Sequence, residues 1–251
     1  ELRKGKYSLP GLPAFWGGDE WETLVVFMED AAARMRVELY YGVLERHDLI
    51  TRAVRVVNRG ETAVRLRRCA SMCLDFQGGD FDFITFDGCH TLERNLNRAP
   101  LRPGVQSVES IRGMSSHHHN PFVILCGQNA DEDHGLCYGA ALVYSGNFLA
   151  AAERTQLEHN RLLLGINPYH FCWTLEPGDS FTAPEAAMVC SPNGFGEMSR
   201  QYHRAIRENL IHDPLQGRDR PVLINNWEAT EADFDGEKLL EIARAAAPLG
   251  M

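Results

Sequence analysis

Residues 34–58 read RMRVELYYGVLERHDLITRAVRVVN. This stretch decides the fold class. In Arg34–Tyr41, Met35, Val37, Leu39 and Tyr41 point one way, and Arg34, Arg36, Glu38 and Tyr40 the other. In Asp48–Asn58, Leu49, Thr51, Ala53, Arg55 and Val57 oppose Ile50, Arg52, Val54 and Val56. A period of two over so many residues predicts half-buried strands rather than helix.

The same signal extends outward. Thr23–Phe27 is β-branched and aromatic, and Asn58-Arg59-Gly60-Glu61 is a turn before a strand over Ala63–Phe76. Further strand-like runs are Phe81–Phe86, Phe122–Gly127, Leu136–Tyr144, Phe148–Leu157, Arg161–Ile166, Phe171–Leu175 and Ala186–Cys190, separated by Gly, Pro and Asn breakers. The first fifteen residues are Pro/Gly-punctuated and read as extended loop. About a dozen short strands without an intervening helix predict a large antiparallel sandwich. The period then changes. Phe195, Met198, Tyr202, Ile206 and Leu210 share one helical face, with Asn193 as N-cap. His212–Arg220, with Pro214 and Gly217, reads as a linker. Pro221–Trp227 reads as a short buried strand and Asp235–Ala247 as a helix with Leu239, Ile242, Ala243 and Ala246 inward, entered at Phe234. One strand and one helix cannot bury both faces of a sheet, so this tail reads as the first βα unit of a larger α/β domain. The expected organisation is a β domain over 1–191, a connecting helix and linker over 192–219, and the βα unit over 220–251.

Composition bounds the function. The 251 residues are 44% hydrophobic and 24% charged, with net charge −9. Such a chain buries a sizeable core, and its acidic balance repels phosphate backbones, which argues against a nucleic-acid partner. Apolar runs fall short of the ~18 residues of a membrane helix. Seven cysteines, an odd number with no CxxC pair, predict free thiols in a reducing compartment.

Several clusters could carry chemistry. Adjacent His117, His118 and His119 alternate in direction along an extended chain, so they read as loop histidines lining a substrate cleft rather than as a metal site. Asp75, Asp80, Asp82 and Asp87 read as a solvated edge, with Asp80 and Asp82 on one strand face; the spacing of a calcium loop is absent. Ser115-Ser116 lacks a nucleophile elbow, and no phosphate-binding glycine loop occurs. Trp227 is placed at the C-terminal end of the strand over 221–227. In an α/β barrel that end faces the active site, where an indole offers a flat wall for a sugar ring. Asn225 and Asn226 beside it offer hydrogen bonds to hydroxyls.

These residues carry a resemblance. Arg220–Thr230, RPVLINNWEAT, resembles the opening of the catalytic barrel in bacterial α-galactosidases of glycoside hydrolase family 36. Upstream blocks agree in order: Arg112-Gly113 through Ser115-Ser116-His117, Asn120-Pro121-Phe122, Val143–Phe148, Gly165-Ile166-Asn167-Pro168 and Leu175-Glu176-Pro177-Gly178. The resemblance implies an N-terminal β-supersandwich, its start missing from this chain, then a (β/α)8 barrel and a C-terminal sheet domain. It implies a cytoplasmic enzyme that removes terminal α-1,6-linked galactose from melibiose, raffinose and stachyose with retention. The nucleophile and acid/base, two aspartates, and a galactose-binding aspartate pair would lie beyond Met251, leaving this chain inactive alone. No metal or other cofactor is implied. A homotetramer is, in which the missing earlier part of the sandwich lends residues to a neighbouring subunit's site. Trp227 matches the galactose-pocket tryptophan, with Asn226 and His117 as further substrate-binding candidates. Glu231-Ala232 departs from the family's Tyr-Phe and removes apolar area at the pocket rim. An alternative is a stand-alone carbohydrate-binding or oligomerisation sandwich that uses Trp16, Trp21 and Trp173 for stacking.

Overall fold

The alternation in residues 34–58 produces a long hairpin. Met35–Leu44 pairs with Leu49–Asn58 in antiparallel register from Met35↔Asn58 to Leu44↔Leu49. A 3-10 turn at Glu45–His47 joins the two, with Asp48 at φ 49°. The computed structural model describes residues 1–212, 217 and 219–251. They form two units, Glu1–Leu210 and Ile211–Met251.

In the first unit the strands run β1 (Leu2–Lys4), β2 (Glu22–Asp30), β3 (Met35–Leu44), β4 (Leu49–Asn58), β5 (Val64–Leu66) and β6 (Ala70–Gln77). Next come β7 (Phe81–Cys89), β8 (Leu92–Pro100), β9 (Gly104–Glu109), β10 (Phe122–Gly127) and β11 (Cys137–Val143). The series ends with β12 (Phe148–Arg154), β13 (His159–Ile166), β14 (Trp173–Leu175), β15 (Ser180–Thr182) and β16 (Glu185–Ser191). The large sheet has the order β1-β2-β3-β4-β16-β11-β10-β7-β8, with β15 also paired to β4. A second sheet, β6-β13-β12-β9, packs over it, and β14 pairs with β5. Ala63–Phe76 is therefore two strands in different sheets, not one.

The middle of the large sheet is covered on both faces, and its sequence shows why. Along β10, Val123 and Leu125 join Phe83, Phe148, Leu162 and Leu164 in the core between the sheets. The alternate residues Ile124 and Cys126 join Trp21, Leu44 and Leu49 in a second core on the other face. A strand buried on both faces reads as a continuous apolar run.

Helix α1 (Gly194–Asn209) closes that second core with Met198, Tyr202 and Ala205. The Tyr202 hydroxyl donates to the carbonyls of Gly139 and Ala187 at 2.8 and 3.0 Å, so the helix is bonded as well as packed to the sheet. Gly139 permits the approach: a Cβ there would lie 2.7 Å from Met198 Sδ. Asn193 stands at the N-cap position, but its side chain makes no cap bond. Ser191 Oγ instead accepts the Asn193 N–H and donates to Glu197.

The C-terminal end of α1 is tied to the 3-10 turn. His47 Nε2 donates to Glu208 Oε2 at 2.8 Å, and Arg46 lies 3.1 Å from the same oxygen. His47 above all, then the charges of Arg46 and Arg204, hold the Glu208 carboxyl below its ordinary value. A carboxylate with a depressed folded-state pKa stabilises the fold above its unfolded value, and that contribution is lost as pH falls through the folded one. Urea midpoints measured across the acid range should therefore fall more shallowly in Glu208→Gln than in the parent. The difference should stay under about 1 kcal/mol because the carboxylate is half exposed. Identical acid slopes would remove this role.

The second unit contains α2 (Trp227–Thr230) and α3 (Gly236–Ala246). Asp235 caps α3 by accepting the Lys238 N–H at 2.9 Å. The predicted linker falls partly on residues 213–216 and 218, which lie outside the described residues. The strand expected over Pro221–Trp227 does not form. Residues 221–225 carry no strand pairing, and Val222 and Leu223 are exposed. A strand exists only through a partner, and no described residue pairs with this segment. Of the expected inward face of α3, only Ala246 is buried, and Phe234 is exposed.

Candidate functional site

The local sequence around Trp227 builds a compact turn. Asn225 Oδ1 accepts the Trp227 N–H at 2.8 Å. The Asn226 carbonyl accepts from Ala229 N and Thr230 N, both at 3.0 Å. Its side-chain amide donates to Thr230 Oγ1 at 2.9 Å. Glu231 closes the turn at φ 47°, its N–H bonded to the Trp227 carbonyl at 2.7 Å. The Asn225 side chain thus holds the Trp227 backbone, while the Asn226 side chain is engaged with the Thr230 hydroxyl. The indole itself is 57% exposed and presents an open apolar face. Such a face suits stacking against the C–H side of a sugar ring.

Three of the upstream blocks, around 112–117, 143–148 and 165–168, meet in the first unit, whereas Leu175 and Gly178 bond to Asn58 at the end of β4. Gly113 N donates to Asn147 Oδ1 at 2.6 Å, and Ser115 N to the Ser145 carbonyl at 2.8 Å. Asn167 Nδ2 donates to Glu109 Oε2 at 2.8 Å. A hollow of about 230 Å3 opens beside them, walled by Glu109, Arg112, Ser116, His118 and His119 among others. His117 is not one of its lining residues. It is exposed and stacks on the His118 ring at 4.4 Å. The chain turns at His117 and His118 rather than running extended, with Ser116 bridged to His119, so the alternation expected of the triplet does not hold and the hollow takes both His118 and His119. Arg112 Nη1 donates to His118 Nδ1 at 2.8 Å. Desolvation, then the charges of Arg112 and the flanking histidines, hold His118 below the ordinary histidine value.

The acidic residues disperse. Asp75 pairs with Arg161, Asp80 with Arg154 and Asp82 with Arg98, while Asp87 accepts from Asn97. Asp82 is nearly buried whereas Asp80 is exposed, so the two do not form a shared acidic face. Among the described residues no group of three or more His, Cys, Asp or Glu gathers as a metal site. Cys69, Cys126 and Cys137 are buried free thiols, each pushed up to about 11 mainly by desolvation. Of the tryptophans offered for stacking in the module reading, Trp21 is fully buried in the core and cannot serve; Trp16 and Trp173 are exposed. No described helix is long and apolar enough to cross a membrane.

Residues 1–176 match the glycosyl hydrolase family 36 N-terminal domain, and residues 180–251 match melibiase. Alpha-galactosidase AgaA of Geobacillus stearothermophilus is 46% identical over 252 residues, which is 100% of this chain and 35% of that protein. The bifunctional alpha-galactosidase/sucrose kinase AgaSK of Mediterraneibacter gnavus is 45% identical, over 100% of this chain and 27% of that protein. The chain thus spans about a quarter to a third of these relatives. Their solved structures superpose on all of it, AgaA with a TM-score of 0.94 and the galactosidase domain of AgaSK with 0.95, each over 35% of its own chain. Variants of AgaA have been solved in complex with raffinose and with stachyose.

Proposed function

The chain belongs to glycosyl hydrolase family 36, and on that premise we propose that it supplies the β-sandwich and the entry to the catalytic barrel of a retaining α-galactosidase. The observation that carries this reading is the 46% identity to AgaA over the whole chain, across two family segments in their proper order. The substrates proposed are oligosaccharides with a terminal α-1,6-linked galactose, of the melibiose and raffinose type. The AgaA complexes with raffinose and stachyose support that class.

Retention needs two carboxyl groups about 5–5.5 Å apart, one as nucleophile and one as acid/base. We assign both to aspartates on barrel strands outside residues 1–251. Two carboxylates and a water suffice for the chemistry, so no metal or organic cofactor enters. Trp227 provides one apolar wall of the galactose pocket, and Asn225 sets its backbone. Glu231 and Ala232 follow directly, and an acid and a methyl at the rim favour a more polar leaving-group sugar there. The Arg112 to His119 loop is proposed to offer polar contacts to a sugar. A cytoplasmic homotetramer completes the proposal. Exposed Leu24, Val26, Met28 and Ile50, on one face of β2–β4, support association through an apolar surface.

The 251-residue chain tests the division of labour. Purified, with β-rich circular dichroism, it should give no turnover of an aryl α-galactoside above buffer. Clear turnover would place the catalytic carboxylates within residues 1–251 and overturn the assignment.

A further inference from the structure

A groove runs beside β15 in the first unit. It consists of two hollows, of about 310 and 360 Å3, that share Pro10, Ser180 and Thr182 in their walls. The larger is aromatic and apolar, with Trp173, Tyr144 and Ile166. The smaller is polar, with Tyr40 and Arg55. Trp173 is 51% exposed although it sits within β14. Its ring is braced on Phe181 at 5.3 Å, and Phe181 on Phe171 at 5.5 Å. The indole is therefore a supported surface rather than a loose side chain. Leaving such an aromatic in water forgoes the gain of burying it, and the ladder with β5 does not require a tryptophan at that position.

The polar end is ordered before any ligand arrives. Arg55 Nη2 donates to Ser180 Oγ at 3.1 Å, and Nη1 lies 3.6 Å from Glu38. The Tyr40 hydroxyl donates to the same carboxylate at 2.5 Å. Glu38 is buried and also pairs with Arg36 at 3.1 Å, so what faces the groove is the Arg55 guanidinium with the hydroxyls of Tyr40, Ser180 and Thr182. A ligand there meets that guanidinium and those hydroxyls. A wholly apolar one would leave Arg55 and the hydroxyls without water or partners. A flat apolar wall beside a hydrogen-bonding shelf of hydroxyls and a guanidinium fits a polyhydroxylated ring with a second ring attached.

We infer that this groove binds an oligosaccharide, one pyranose face stacked on Trp173 and the adjoining sugar bonded to Ser180, Thr182, Tyr40 and Arg55. The inference needs no catalytic residue. Its failure would leave the hydrolase reading standing, because that reading is tested by turnover.

The test titrates the 251-residue chain with raffinose and with stachyose by calorimetry. Variants Trp173→Ala, Trp173→Phe, Thr182→Val and Trp227→Ala are measured alongside, each with its thermal midpoint. Saturable binding is expected, weakened about tenfold or more by Trp173→Ala, the loss of roughly one aromatic stacking contact. Trp173→Phe should retain most of the affinity, and Thr182→Val should weaken it. Absent binding overturns the proposal. So does binding indifferent to both Trp173→Ala and Thr182→Val, or binding lost in Trp227→Ala alone. Should Trp173→Ala unfold, the Phe and Val variants decide the matter by the same criteria.

Discussion

Glu185→Ala is expected to lower the unfolding free energy of the first unit by about 3–5 kcal/mol. The carboxylate is fully buried. One oxygen lies 2.5 Å from Lys6 Nζ, and the other accepts the Phe15 N–H at 2.7 Å. Lys6 is itself buried, with its ammonium 3.2 Å from the Tyr7 ring centroid. Burial draws the Lys6 pKa down, and the Glu185 charge opposes that shift. Alanine removes the countercharge that makes burying this ammonium tolerable, and it strands a backbone donor. Domains of this kind hold a total of about 5–15 kcal/mol, so the loss is a large share. The strip between β1 and β2 should loosen first, since Lys6 and Phe15 anchor it while Tyr7 and Leu9 pack on Ala53. Urea unfolding and amide exchange across residues 5–16 read both effects. A Lys6→Met, Glu185→Leu double variant should recover part of the stability, because two apolar side chains replace a desolvated pair. A loss under about 1 kcal/mol in Glu185→Ala would show that the pair is dispensable.

Trp227→Ala in the full-length enzyme should reduce kcat/KM for an aryl α-galactoside about a hundredfold, with Trp227→Phe in between. Removing a pocket wall deprives the transition state of roughly 3 kcal/mol, at about 1.4 kcal/mol for each factor of ten. The indole is 57% exposed in the 251-residue chain, so the thermal midpoint of that chain should hardly move. An unchanged kcat/KM would remove Trp227 from the pocket.

Much of the sandwich is legible because alternation is a direct consequence of the pleat. Phe122–Gly127 has the predicted ends, and the hairpin of β3 and β4 differs by a few residues. What escapes notice has a physical reason. Leu92–Pro100, sequence LERNLNRAP, forms β8 at the edge of the large sheet, mostly exposed, where burial imposes no apolar period. The three-residue strands β1 and β15 are too short to show a period at all. Ala63–Phe76 reads as one strand because Val64–Leu66 and Ala70–Gln77 both alternate; only the sheet partners, β14 and β13, distinguish them.

The site is less legible. NNW singles out Trp227 only through its resemblance, and Asn225 explains how the turn holds its backbone. The strand expected beneath it depends on neighbouring strands rather than on its own composition, and Leu223 stands in solvent. Trp21 illustrates the opposite error. Residue type suggests an exposed stacking surface, yet burial is decided by tertiary packing, in this case against Phe15 at 6.4 Å.

The most direct measurement expresses the whole reading frame that encodes residues 1–251 and follows raffinose and p-nitrophenyl α-galactoside by proton NMR. Cleavage of both is expected, with galactose appearing first as the α anomer and then mutarotating, as a double displacement requires. No release of galactose from either substrate would contradict the α-galactosidase assignment, and release first as the β anomer would contradict the retaining mechanism.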